Sequence, residues 1–273
     1  MMNITNLAKT SIVSIVSAIC AYIFVFFFSN YASLFFAYDF DVPASFSLDG
    51  ISFSTEANSH IWSRDALVTI LLSKPISAFI GGIVFLFILM LRTKKAASVI
   101  LFLFWLNVFA FNTAIGLLIE DAIIGAGTYE VAVVMNIDNI YLIIMSIISA
   151  FIMYKIGMMN GRLIMLSFSH QKLFLFKPRI IFFITIFLIP WLLVIMYTCL
   201  AAGSSFSLSE LLITLPLIIL LFPFLTINKA PPPEYKYLSA EQFTTTDLIL
   251  SVFFIAISAG LIFAMKSGIT ISG

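Results

Sequence analysis

A chain of 273 residues that is 62% hydrophobic and 10% charged, with a mean hydropathy of +1.15, lacks the roughly one-quarter charged residues of a soluble domain. It reads as an all-α integral membrane protein. A net charge of +1 without a basic stripe excludes nucleic acid as a partner, and Cys20 and Cys199, both inside apolar runs, make no disulfide framework.

About seven apolar segments of near-membrane length follow one another as a single polytopic bundle: 10–37, 75–91, 97–119, 140–157, 180–200, 211–227 and 248–265. The first is too long for a signal-peptide core and reads as a retained anchor. Its Ser14, Ser17, Ala18 and Ala21 would let another helix approach closely. Near its far end Ser29-Asn30-Tyr31-Ala32-Ser33 makes a polar patch.

Residues 38–65 form an acidic aqueous segment. Within it, apolar residues and serines alternate from Ser45 to Ser54 around Asp49-Gly50, a preferred two-residue hairpin turn. Leu48 should then face Ile51 and Phe46 should face Phe53, with the apolar side chains on one face and the serines on the other. A lone hairpin is marginal, so its apolar face should rest on the bundle or the lipid interface. It serves either as a packed lid or as a strand edge that receives another segment.

Because proline suits the first helical turn, the second span should begin near Pro75, leaving Ala66 to Ser73 as a separate interfacial or re-entrant piece. Lys74 would sit at the rim, its ammonium reaching headgroups. Ser77 with Gly81 and Ala78 with Gly82 supply a small-residue face, as do Ala256, Gly260 and Ala264 in the last span. Residues 158–179 read as a basic amphipathic linker on the membrane surface, and Pro231-Pro232-Pro233 as a stiff spacer.

Charge orients the chain. Arg92-Thr93-Lys94-Lys95 marks a cytoplasmic hairpin between the second and third spans. With the N-terminus inside, eleven of the 14 lysines and arginines fall on the cytoplasmic side and ten of the 13 carboxylates on the other. The acidic hairpin segment and the C-terminus then lie outside the cytoplasm, as expected for a bacterial inner-membrane protein.

Few residues invite chemistry. His60 and His170 fall on opposite membrane faces and cannot share a metal. No phosphate-binding loop, dinucleotide fingerprint or nucleophile elbow is present. Glu120, Asp121, Glu130 and Asp138 match no calcium loop and read as solvated carboxylates. Asn30, Asn107 and Asn112 lie at membrane depth, where amides face the bundle interior and either bond between helices or line a pathway. Asn107 and Asn112, five residues apart, diverge by about 140° on an ideal helix and cannot line one path together.

The order of parts resembles the integral-membrane zinc metalloproteases of the site-2 protease type. Ser29-Asn30-Tyr31-Ala32-Ser33 stands where that family carries H-E-x-x-H, the Asp49-Gly50 hairpin follows, Ser73-Lys74-Pro75 takes the place of the proline turn, and Trp105-Leu106-Asn107 leads to Gly125-Ala126-Gly127-Thr128-Tyr129-Glu130. The resemblance covers about residues 18–138. It implies a protease-like fold from which the metal ligands and the catalytic glutamate are missing, because a Ser/Asn/Ser set cannot hold zinc or activate its water.

These features predict a protein without catalytic residues, metal or cofactor, embedded in membrane lipid and acting as a scaffold or subunit of a membrane assembly. In that role it is a pseudoprotease that binds a segment of a membrane-protein partner. The candidate binding residues are Asn30, Phe46, Phe53, Lys74, Asn107 and Asn112. The alternative is a small permease or channel, which requires a polar path across the bundle.

Overall fold

The computed structural model describes residues 4–53, 62–91, 96–125, 127–168, 175–201, 208–227 and 244–271. The basic Arg92–Lys95 loop, His60, His170 and Pro231–Pro233 lie outside them. Six helices are long and apolar enough to span a membrane, and a small three-stranded antiparallel sheet sits at one end. The chain is a multi-pass integral membrane protein.

Helix α1 (Ile4–Asp39) ends in a Schellman arrangement. Asp41 takes a left-handed φ of 55°, tolerable for its short polar side chain. Its N–H then bonds the Tyr38 carbonyl and that of Val42 bonds Ala37, closing the helix end. Strands β1 (Ala44–Ser47) and β2 (Gly50–Phe53) follow. The next helices are α2 (Arg64–Met90), α3 (Ala97–Ile124), the short α4 (Thr128–Val134), α5 (Asn139–Ser167) and α6 (Phe176–Leu200). Then α7 (Leu208–Leu221) and α8 (Pro223–Thr226) make a broken sixth segment. Finally α9 (Thr245–Lys266) leads into β3 (Ile269–Ile271).

Helix α3 is the centre of the bundle, with 83% of its span buried against 11% for α9. Its first part, Ala97–Phe111, is apolar nearly all round, which suits a helix with neighbours on every side. Trp105 is wholly buried, and its indole N–H donates to Ser14 Oγ at 2.9 Å. Ser14 in turn donates to the Ile186 carbonyl at 2.6 Å and Ser11 donates to Thr185 at 2.9 Å. Those carbonyls belong to a π-helical stretch of α6, Ile184–Leu188, where widening releases backbone acceptors from the regular ladder. The expected close-packing face of α1 exists: Ser14, Ser17, Ala18 and Ala21 are fully buried.

The opposite end from the sheet is fastened by one carboxylate. Asp247 Oδ1 accepts from the backbone N–H and hydroxyl of Ser98, both at 2.8 Å. Its Oδ2 accepts from the backbone N–H and hydroxyl of Thr244, at 3.0 and 2.9 Å. A single buried side chain therefore caps the first turns of α3 and α9 together.

Three expectations need correction. Pro75 lies inside α2, which starts at Arg64 with Ser63 Oγ accepting from the Ala66 N–H at 3.1 Å. No separate interfacial piece exists, because the helix tolerates a proline where neighbours and a cavity can satisfy the freed carbonyl. Residues 158–167 of the expected surface linker continue α5 as regular helix, since Gly157 and Gly161 allow it to lie directly on α7 and α8. Gly260, by contrast, meets nothing within 4 Å, so the small-residue face of α9 makes no close contact within the described chain.

These glycines give a paired prediction. A methyl group at Gly157 would collide with the Leu220 backbone, whereas one at Gly260 would enter open space. Gly157→Ala should cost about 2 kcal/mol and lower the thermal midpoint of the purified protein by about 4–8 °C. Gly260→Ala should leave the midpoint unchanged or raise it.

The sheet is larger than a hairpin. Its order is β2-β1-β3, with β3 supplied from beyond α9. Asp49-Gly50 does not form the expected two-residue turn, since the tight type I′ form needs positive φ at both central residues. Only Gly50 takes one, at 110°. The turn therefore sits at Leu48-Asp49, and the pairs are Ser47 with Gly50, Phe46 with Ile51, and Ala44 with Phe53. Because the register differs by two, the faces are kept. Ser45 and Ser52 share a 2.7 Å hydrogen bond on one side, while Phe46 on the other packs on Phe26 and Phe27 of α1, ring centroids 6.0 and 5.6 Å away.

Candidate functional site

The sheet roofs a cavity of about 540 Å³ that reaches into the bundle between α1, α2, α3 and α6. From α1 it is lined by Tyr22, Phe26, Ser29, Asn30 and Ser33, and from α2 by Leu71, Lys74 and Pro75. Helix α3 contributes Asn112, Thr113, Glu120 and Asp121, and α6 contributes Trp191, Tyr197 and Thr198. Leu48 to Ile51 and Phe53 form the lid. The size falls within the usual range for a ligand site, roughly 300–1,000 Å³.

Local sequence explains how polar groups come to line it. Asn112 and Thr113 open a π-helical stretch of α3, Asn112–Gly116, a distortion found often at functional sites. Gly116 is required there, since a methyl group would stand 2.8 Å from Asn112 Oδ1 and 3.1 Å from Pro216. On α2, Pro75 has no N–H to offer the Leu71 carbonyl, and both residues line the cavity. Asn30 donates to the Phe26 carbonyl of its own helix at 2.8 Å. Ser73 donates to Ser33 Oγ at 2.9 Å, tying α2 to the polar patch of α1.

The charged wall is built around Asp121, which is 5% exposed. Its Oδ2 accepts from the backbone N–H and hydroxyl of Thr128, both at 2.7 Å. The turn that brings Thr128 back passes through Gly125 and Gly127, with φ of 77° and 59°. Any side chain at Gly127 would stand 2.7 Å from the same carboxylate oxygen. Lys74 faces Glu120 and Asp121 across the cavity and interacts with both electrostatically. Among the described residues it forms no ion pair within 4.0 Å of either.

Among the described residues, the lining of the cavity goes no deeper than Tyr22, Phe109, Trp191 and Leu217. Beneath Phe109 and Trp191, rings from α3, α6 and α8 fill the interior, with Phe104 to Phe187 at 4.8 Å and Phe187 to Phe224 at 5.0 Å. Below the cavity, Asn107 joins a separate buried network. It donates to the Gly82 carbonyl at 2.8 Å and accepts from Asn160 at 2.5 Å.

Of the six expected binding residues, Asn30, Phe53, Lys74 and Asn112 line the cavity together. Two do not join them. Phe46 is fully buried beneath the sheet, because its face of β1 is turned onto α1. Asn107 is fully buried between α2, α3 and α5, diverging from Asn112 as its spacing requires. Lys74, expected at the headgroup rim, lines the cavity and interacts with Glu120 and Asp121. Glu120 and Asp121, read as solvated acids, are cavity groups instead, and Thr128, Tyr22, Tyr197 and Trp191 went unforeseen. The only sequence signal for the charged wall is the Glu-Asp pair ending a span, followed by the Gly125–Thr128 turn.

The fold and this cavity define a multi-pass membrane protein with a one-sided internal site. No family model, curated protein or solved structure matches the chain.

Proposed function

We propose that the protein is a non-catalytic membrane receptor or assembly subunit that binds an extended segment of a partner polypeptide along β2. The observation that carries this reading is the position of β2. Among the described residues it pairs with β1 alone and leaves its other edge open, and its residues wall the cavity. An open strand edge offers unpaired backbone donors and acceptors to an incoming chain, and the adjoining cavity can take its side chains. Ser29, Asn30 and Ser33, the residues in the slot of the metalloprotease motif, line the same cavity and are poor zinc donors. They support binding without hydrolysis.

The charge distribution supports a bacterial inner membrane with the sheet outside the cytoplasm. In intact cells a cysteine at Asp49 should react with a membrane-impermeant maleimide, and one at Lys177, exposed at the start of α6, should react only after permeabilisation. The reverse pattern would invert the orientation.

Binding is tested on the full chain in lipid nanodiscs with a fluorescent peptide of alternating valine and threonine around a central lysine. Saturable binding is expected. N-methylation of alternate residues along one peptide edge should abolish it, and methylation of the other edge should not. Equal effects of the two would exclude strand pairing. A permease is the rival reading, favoured by the π-helical break at Asn112–Gly116 and by Pro216 in α7. Against it stands the aromatic layer that closes the cavity floor.

A further inference from the structure

We infer that the segment received by the cavity presents a basic side chain, whose ammonium or guanidinium lodges against Glu120 and Asp121. This inference rests on the receptor reading and specifies what the receptor selects. Asp49, Glu120 and Asp121 line the cavity against the single cation Lys74, so acidic groups outnumber basic ones in its walls. A cationic ligand relieves that excess, whereas an anionic one would have to face three carboxylates.

The geometry of Asp121 leaves one acceptor for such a guest. Thr128 donates twice to Oδ2, and no described group donates to Oδ1. The Gly125–Thr128 turn thus holds the carboxylate in place and keeps one oxygen in reserve. Glu120 likewise receives no hydrogen bond from any described residue, although it interacts electrostatically with Asp121 and Lys74. A second observation points independently to a ligand with backbone character. Trp191 is 9% exposed, lines the cavity, and its indole N–H has no described acceptor. The nitrogen itself is shut off from the cavity space, so a peptide carbonyl reaches it once the ring turns. The Leu71 carbonyl, deprived of its helical donor by Pro75, offers the complementary acceptor for an N–H. The site therefore matches a polypeptide with a basic residue better than a free metal ion or an inorganic anion.

Lys74 is the competitor in this scheme. Among the described residues it is the cation that interacts with the two carboxylates, and an incoming lysine or arginine takes over part of that role. Removing Lys74 should therefore strengthen the binding of a basic segment.

The test uses the full chain in nanodiscs and three fluorescent peptides that differ only at the central residue: lysine, norleucine or glutamate. The lysine peptide should bind about tenfold or more tightly than norleucine, the size of effect a charge-assisted hydrogen bond brings, and the glutamate peptide should bind least. Glu120→Gln should shrink the lysine-to-norleucine ratio several-fold, and Lys74→Met should enlarge it. Both variants are checked for an unaltered elution profile. Norleucine or glutamate binding as tightly as lysine to the unmodified protein would overturn the inference while leaving the receptor reading intact. If none of the three peptides binds, both fall.

Discussion

Replacing Phe46 with alanine should cost about 3–5 kcal/mol, the usual toll for emptying a buried phenylalanine site. The ring is wholly buried and touches Phe26 and Phe27, so it is the peg that seats the sheet on α1. Its neighbours cannot collapse into the gap. Val42, Ala44 and Ile70, also buried around it, belong to strand, turn and helix backbones that are fixed by other contacts. The measurable outcome is a large drop in thermal midpoint together with loss of peptide binding, because the cavity would lose its roof. Phe53→Ala, which truncates a partly buried lid residue, should weaken binding with a smaller loss of stability. Equal losses in the two variants would show that Phe46 does not anchor the sheet.

Asp247→Ala should be comparably damaging, at about 2–4 kcal/mol. One helix cap is worth about 0.5–2 kcal/mol, and here a single carboxylate caps two helices through four hydrogen bonds. Its loss strands buried donors at the N-termini of α3 and α9, which pay a desolvation penalty of their own. Asp247→Asn keeps one oxygen to accept from one helix but presents an amide to donors on the other. It should recover roughly half of the stability. Unfolding midpoints of the three proteins in the same detergent decide the matter: an asparagine variant as stable as the parent would mean that the charge and the second cap contribute nothing.

The parts of this fold that were legible in the sequence are those governed by local chemistry. Apolar runs declared the helices, alternation around Asp49 declared the faces of the hairpin, and small residues declared the close approach to α1. Longer-range decisions were hidden. Ile269-Thr270-Ile271 is too short to announce a strand, and only the neighbouring edge of β1 gives it a partner. The turn type depended on whether Asp49 would accept a left-handed backbone, which alternation cannot reveal. Burial separates Asp121 from Asp138, yet the two look alike on paper. What distinguishes them is the Gly125–Thr128 turn folding back to supply donors. Asn112 was visible as a polar group at depth, but its place in the cavity depends on a π-helical turn that carries no simple residue signature.

The route by which β1 gains its second neighbour has a consequence for biosynthesis. Ala44 leaves the ribosome early, while its partner Ile271 is made only after α9. Throughout the insertion of the intervening helices, one side of β1 is exposed to whatever strand-forming chain is at hand. A nascent chain interrupted before Ile269 would carry that unguarded edge permanently, and the cell would meet it as a substrate for chaperones and proteases instead of a finished fold.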